Sequence, residues 1–149
     1  MRVVYLAAGR RGSPPPPFRT GAAGHFWLSE DRTPEQETRV ALSANSTHAL
    51  LGHGVVDGLN RLSLEGRLGE GREVVIPPAT LEAARRIFIE ADRTTYGASY
   101  EFVAGERCEP DPVEYRVRID NREYQRTLAR LVYLCTMASR NGRAVWLRI

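Results

Sequence analysis

Arginines are the side chains of this sequence whose type and spacing most clearly suggest chemistry. Three of them recur at intervals of four residues, at Arg122, Arg126 and Arg130. At about 100° per residue, this interval keeps them on one face of a helix, opposite Tyr124 and the apolar positions that follow it. The spacing predicts a basic ridge on the outer face of a C-terminal helix. Guanidinium groups in such a row can form forked hydrogen bonds to phosphate or carboxylate groups.

A second basic set lies on two predicted strands. Arg116 and Arg118 alternate with apolar residues and share the outward face of one strand, and alternation in the final strand directs Trp146 and Arg148 outward. Arginines beside an aromatic ring on a sheet face are typical of single-stranded nucleic-acid binding, where the charge follows phosphates and a base stacks on the ring. The alternatives are that helices cover this face or that acidic neighbours such as Glu114 neutralise it.

A proline-rich segment near the N-terminus carries the remaining candidates. Residues 9–24 read GRRGSPPPPFRTGAAG, and four consecutive prolines favour a stiff polyproline II conformation. We expect a loop that projects between the first two strands and holds Arg10, Arg11 and Arg19 outward. Loops placed in this way often carry function.

The composition is basic and contains no lysine. All 21 basic residues are arginines, the formal net charge is +3 and the sequence pI is near 9.2. Two explanations stay open for the missing lysine: the codon usage of a GC-rich genome, or selection for the hydrogen-bonding and stacking properties of arginine. The charge favours an acidic partner only mildly.

The order of three residues also resembles that of the ADP-ribosyltransferases. Arg10 follows the first strand, Ser29 follows the aromatic residues Phe26 and Trp27 in the second, and Glu101 lies in a later strand. The family's diagnostic tripeptide does not occur here. The resemblance implies an NAD- or nucleotide-using transferase in which Glu101 is the catalytic acid and Arg10 holds a phosphate of NAD.

Metal and thiol chemistry have little support in the sequence. His48 and His53 lie five residues apart, which points them to different faces of a helix, whereas a zinc pair on a helix uses a spacing of four. Cys135 falls on the apolar face of a helix, and Cys108 lies in a polar loop. We predict no metal site and no cofactor, and free thiols.

Length and hydropathy indicate the number of domains and whether the chain spans a membrane. A chain of 149 residues is expected to form a single globular domain over residues 1–149. No apolar run reaches the roughly 18 residues of a membrane span, and the N-terminal run is short for a signal peptide. We therefore expect a cytoplasmic protein with no membrane partner.

The predicted elements alternate between strands and helices. Apolar or alternating stretches predict short strands at 2–8, 25–30, 38–44, 62–65, 73–76, 99–104, 113–119 and 144–149. Helical spacing predicts about three helices, over 45–60, after Pro77-Pro78, and from the Asp120 cap to Asn141-Gly142. The expected fold is α+β, with one mixed sheet of about six to eight short strands. It ends in a strand-helix-strand unit whose two strands are expected to be parallel neighbours.

Three functions remain open at this stage. The first is a small non-enzymatic binding or accessory protein that engages nucleic acid or another acidic partner. Its binding residues would be Arg10, Arg11, Arg19, Arg116, Arg118, Arg122, Arg126, Arg130, Trp146 and Arg148. The second is the transferase, with a site near Arg10, Ser29 and Glu101. The third is an assembly or interaction protein of a larger complex.

Overall fold

A computed structural model describes residues 1–6, 25–28 and 39–149. The proline-rich loop predicted at 9–24 lies outside the described residues, as do Arg10, Arg11, Arg19 and Ser29. The described part is a single small α+β domain with seven strands and four α-helices. They follow one another as β1 (Arg2–Tyr5), β2 (His25–Leu28), β3 (Val40–Ala41), α1 (Ala44–Gly52), α2 (Val55–Asn60), β4 (Glu73–Ile76), α3 (Leu81–Thr94), β5 (Ser99–Arg107), β6 (Val113–Asp120), α4 (Asn121–Arg140) and β7 (Val145–Arg148).

The strands form two sheets, where the sequence predicted one. The first sheet has the order β1-β6-β5 and is mixed, because β1 is parallel and β5 antiparallel to β6. The second has the order β3-β2-β7-β4 and is antiparallel throughout.

The strand-helix-strand unit β6-α4-β7 is present, but its two strands are not neighbours. The prediction that they pair is wrong: β7 lies between β2 and β4 in the other sheet. β1 and β5 occupy the two edges of β6, and β2 and β4 occupy the two edges of β7, so neither strand has an edge left for the other.

The helix predicted over 45–60 is two helices. α1 ends at Gly52, and Gly54 precedes α2 with φ of +77°, a left-handed conformation that residues with a Cβ rarely adopt. A further difference is that residues 62–65 form no strand, and only a single bridge pairs Glu65 with Val75.

One hydrophobic core joins the two sheets and the helices. α4 supplies the face predicted from its spacing, with Tyr124, Leu128, Leu131, Cys135 and Ala138 all buried. β6 contributes the alternating set predicted for it: Val113, Tyr115, Val117 and Ile119. The outer faces of α4 and of the first sheet therefore point away from this core.

Both ends of α4 are capped as the sequence predicts. The Asp120 side chain accepts hydrogen bonds from the backbone N–H groups of Arg122 at 2.9 Å and Glu123 at 3.2 Å. The Glu123 carboxylate accepts a hydrogen bond from Ser43 Oγ, which ties α4 to the start of α1. Gly142 follows the helix with φ of +63°. These contacts fix the rotation of α4, and so the direction in which its arginines point.

Candidate functional site

The outer face of α4 presents a line of exposed arginines, which we call the α4 ridge. It consists of Arg122, Arg126, Arg130 and Arg140, all of which are exposed. At about 100° per residue they lie within roughly 80° of one another around the helix axis. From Arg122 to Arg140 the ridge is about 27 Å long, with the first three residues about 6 Å apart.

Within the described part of the chain, no guanidinium group of the α4 ridge is in an ion pair. The neighbouring helix α3 differs, because its three arginines are paired. Arg85 and Arg86 contact Glu82 at 3.4 and 3.3 Å, and Arg93 contacts Glu90 at 3.4 Å. The two helices pack side by side, and only α4 has an uncompensated positive face.

The ridge carries a cost that the fold does not offset. Arg122 and Arg126, and then Arg126 and Arg130, are like charges at a spacing of four, and each such pair destabilises a helix by about 0.2–0.5 kcal/mol. Only Arg140 gains from its position, because a positive charge in the last turn of a helix is favourable. A bound polyanion would remove the repulsion among the first three.

The outward face of the first sheet brings Arg116 and Arg118 together, as their alternation predicted. They lie beside Glu101 of the neighbouring strand β5. Arg116 Nη1 donates to Glu101 Oε1 at 3.1 Å, and Arg118 donates to Glu101 Oε2 from Nε at 3.3 Å and from Nη2 at 3.1 Å. Tyr5 Oη also donates to Glu101 Oε1 at 3.3 Å, and the Arg118 guanidinium lies 5.4 Å from the centre of the Tyr5 ring.

This cluster is electrically neutral. Arg116 also donates to Glu114, so two guanidinium groups face two carboxylates. The hydrogen bonds from Arg116 and then Arg118 lower the pKa of the Glu101 carboxyl, and those from the Glu114 and Glu101 carboxylates raise the pKa of Arg116. The neutralisation that the sequence left open as an alternative therefore holds for Arg116 and Arg118.

Trp146 and Arg148 do not join this face. They lie on β7 in the second sheet, where Trp146 is in register with Trp27 and Val75, and Arg148 Nε donates to the carbonyl oxygen of Gly71 at 2.8 Å. The expected single face with three arginines and a tryptophan does not form, because β6 and β7 belong to different sheets.

Both carboxylate oxygens of Glu101 accept hydrogen bonds from neighbouring side chains. A carboxylate whose pKa is lowered in this way is a weak base and a poor proton donor at neutral pH. The contacts suit a residue that positions two guanidinium groups. Arg10 and Ser29, the other two residues of the transferase prediction, fall outside the described ranges.

Aromatic side chains stack beside the start of α4. The His53 ring lies between Tyr100, with ring centroids 4.4 Å apart, and Tyr124, at 4.7 Å. His53 Nε2 is 3.4 Å from Asn121 Oδ1, and burial lowers the pKa of the imidazole.

His48, on α1, is buried. Cys135 is part of the core, and burial raises the pKa of its thiol to about 12.

Two exposed tyrosines near the ridge were missed by the sequence reasoning. Tyr133 lies on the outer face of α4, and the helical angle that identified Arg122, Arg126 and Arg130 also places Tyr133 and Arg140 beside them. Tyr96 lies at the start of α4, where its carbonyl oxygen accepts a hydrogen bond from Asn121 Nδ2 at 2.9 Å. No local pattern predicts this second placement, because it depends on how β5 approaches α4.

Residues 1–6, 25–28 and 39–149 contain no group of three or more His, Cys, Asp and Glu side chains placed to hold a metal ion. Among the helices described, none is both long enough and apolar enough to cross a membrane. No protein-family model matches this chain, and neither a curated protein nor a solved structure matches it.

Proposed function

We propose that this chain is a non-enzymatic nucleic-acid-binding protein and that the α4 ridge contacts the phosphate backbone. One observation carries the proposal: four exposed arginines form a line on α4 without an ion pair in the described structure, beside a helix whose arginines are paired. A line of arginines, the first three spaced about 6 Å apart along the helix axis, fits a linear polyanion. The repulsion within the array is relieved when phosphates lie along it.

The test is binding measured as a function of salt concentration. Fluorescence anisotropy with labelled single-stranded and duplex oligonucleotides gives the slope of log K against log salt. Each phosphate contact adds about 0.7 to 0.9 to that slope, because counterions are released. Replacing Arg122, Arg126 and Arg130 by Gln should weaken binding and reduce the slope by about 2 to 3.

A matched variant distinguishes a loss of affinity caused by the ridge from one caused by the lower net charge. Replacing Arg72, Arg86 and Arg93 by Gln removes the same three charges from other exposed positions. We expect this control to keep most of the affinity and of the salt slope. Equal losses in the two variants, or no binding by the native protein at low salt, would contradict the proposal.

A further inference from the structure

We infer that the ligand of the α4 ridge is single-stranded nucleic acid, with bases stacked on Tyr133 and Tyr96; this inference rests on the proposed function. These two tyrosines are the most exposed aromatic rings that the structure describes, at 66% and 81% of their full exposure. Neither ring stacks on another side chain or makes a side-chain hydrogen bond within the described residues. Their faces are open to a ligand.

Tyr133 lies within the ridge itself. It follows Arg130 by three residues and precedes Arg140 by seven, so all three lie on one side of the helix, about 20° to 80° apart. The ring therefore has a guanidinium group on each side along the helix axis. A nucleotide whose base lies on Tyr133 can present its neighbouring phosphates to Arg130 and Arg140.

Tyr96 lies at the opposite end of the ridge. Its carbonyl oxygen accepts a hydrogen bond from the side chain of Asn121, the first residue of α4, which is next to Arg122. Asn121 precedes Tyr133 by twelve residues, or about 18 Å along the helix. The backbone of Tyr96 thus lies at the start of the ridge, from which its exposed ring can reach a strand bound along the arginines, and Tyr133 lies in the second half.

A nucleic acid can stack on Tyr133 and Tyr96 only where the faces of its bases are exposed. In a duplex the faces of the bases are covered by their neighbours, whereas a single strand presents them for stacking, and an aromatic side chain accepts any base. Arginines that follow the backbone and aromatic rings that stack on bases are the two components of single-strand binding.

The experiment compares the affinities of the native protein for oligo-dT, oligo-rU and a duplex of equal length at one salt concentration. We expect both single strands to bind more tightly than the duplex. Tyr133→Leu and Tyr96→Leu should each weaken oligo-dT binding by about 5- to 150-fold, as expected for the loss of one stacked base. Tyr133→Phe and Tyr96→Phe, which keep the ring, should stay within about twofold of the native protein. The duplex affinity should be unchanged in all four variants.

Tyr5→Leu provides the control, because it removes an exposed tyrosine from the first sheet. An equal loss in this variant, or no loss in the two Leu variants, would overturn the inference, and so would tighter binding of the duplex. The proposed function would survive those results as long as the ridge arginines still set the salt slope. If neither single strands nor duplex bind, both proposals fall.

Discussion

At the scale of single residues, the arginines of this protein fall into two electrostatic situations. Arg116 and Arg118 contact carboxylates on neighbouring positions, which leaves the cluster around Glu101 neutral. Arg126 has arginines four residues before and four residues after it, and no ion pair in the described part of the structure. The contacts of each side chain, rather than the number of arginines, indicate which ones can bind an anion.

Arg126→Glu tests this difference directly. A glutamate at this position turns two repulsive i,i+4 pairs into attractive ones, while its i,i+3 pairing with Glu123 becomes repulsive, so we expect the free energy of unfolding to rise by about 0.5 kcal/mol. Nucleic-acid affinity should fall at the same time. Urea denaturation and anisotropy measure the two effects, with Arg126→Gln as the intermediate case. A loss of both stability and affinity would show that Arg126 has a structural role instead.

Glu101→Gln tests the neutral cluster through its pH dependence. The folded carboxyl has a lowered pKa, so its contribution to stability is present above the unfolded pKa and is lost as pH falls through the folded pKa. The variant should therefore be less stable than the native protein at pH 7, and the difference should shrink below about pH 4.5. Urea denaturation from pH 7 to pH 3 measures it.

Glu106→Gln is the control for that measurement. It removes from the same strand a carboxylate that, unlike Glu101, makes no ion pair within the described residues. We expect no loss of stability in this variant. A Glu101→Gln effect that does not change with pH would mean that packing, rather than charge, accounts for the role of Glu101.

At the scale of secondary structure, the break between α1 and α2 is set by one glycine. Gly54 has φ of +77°, while Gly58 lies inside α2 with ordinary helical geometry. Both are glycines in the stretch that the sequence predicted as one helix. The left-handed residue ends the first helix and redirects the chain, so the two positions should respond in opposite ways to the same substitution.

Alanine substitutions at Gly54 and Gly58 test whether the two positions respond in opposite ways. Gly54→Ala should lower the free energy of unfolding by about 1 kcal/mol, because a Cβ is strained at positive φ. Gly58→Ala should raise it by up to about 1 kcal/mol, because a Cβ there would meet only Ile87 at 3.6 Å and alanine favours the helix. Thermal or urea denaturation gives both values. The same sign in both variants would be evidence against the break at Gly54.

At the scale of the whole molecule, the charge on α4 couples stability to the ligand. Repulsion along the ridge destabilises the free protein, and salt or a polyanion reduces it. A ligand that binds only the folded state at 100 times its dissociation constant adds about 2.7 kcal/mol to the free energy of unfolding. Stability should therefore depend on the ionic surroundings more than a net charge of +3 suggests.

Thermal unfolding of the native protein and of the Arg122/Arg126/Arg130→Gln variant checks this coupling. Without a ligand, raising the salt concentration should increase the melting temperature of the native protein more than that of the variant. At one oligo-dT concentration that saturates the native protein, the melting temperature should rise more for the native protein than for the variant. Identical salt responses would show that the ridge arginines do not repel one another appreciably.

Much of the fold could be predicted from the sequence, because the relevant patterns are local. The period of 3.6 residues places Tyr124 and Leu128 in the core and Arg122, Arg126 and Arg130 outside, whatever α4 packs against. In the same way, alternation places Val117 inside and Arg118 outside on β6. The α+β class and the basic face of the last helix follow from such patterns.

What the tertiary structure alone decided is which distant residues meet. β6 and β7 belong to different sheets, so Arg118 and Arg148 do not share a face. Glu101 contacts two arginines only because β5 pairs with β6 in this register, and Tyr96 reaches the start of α4 only because its carbonyl oxygen meets the Asn121 side chain. Strand pairing and helix contacts join residues far apart in the chain, and local periodicity carries no information about them.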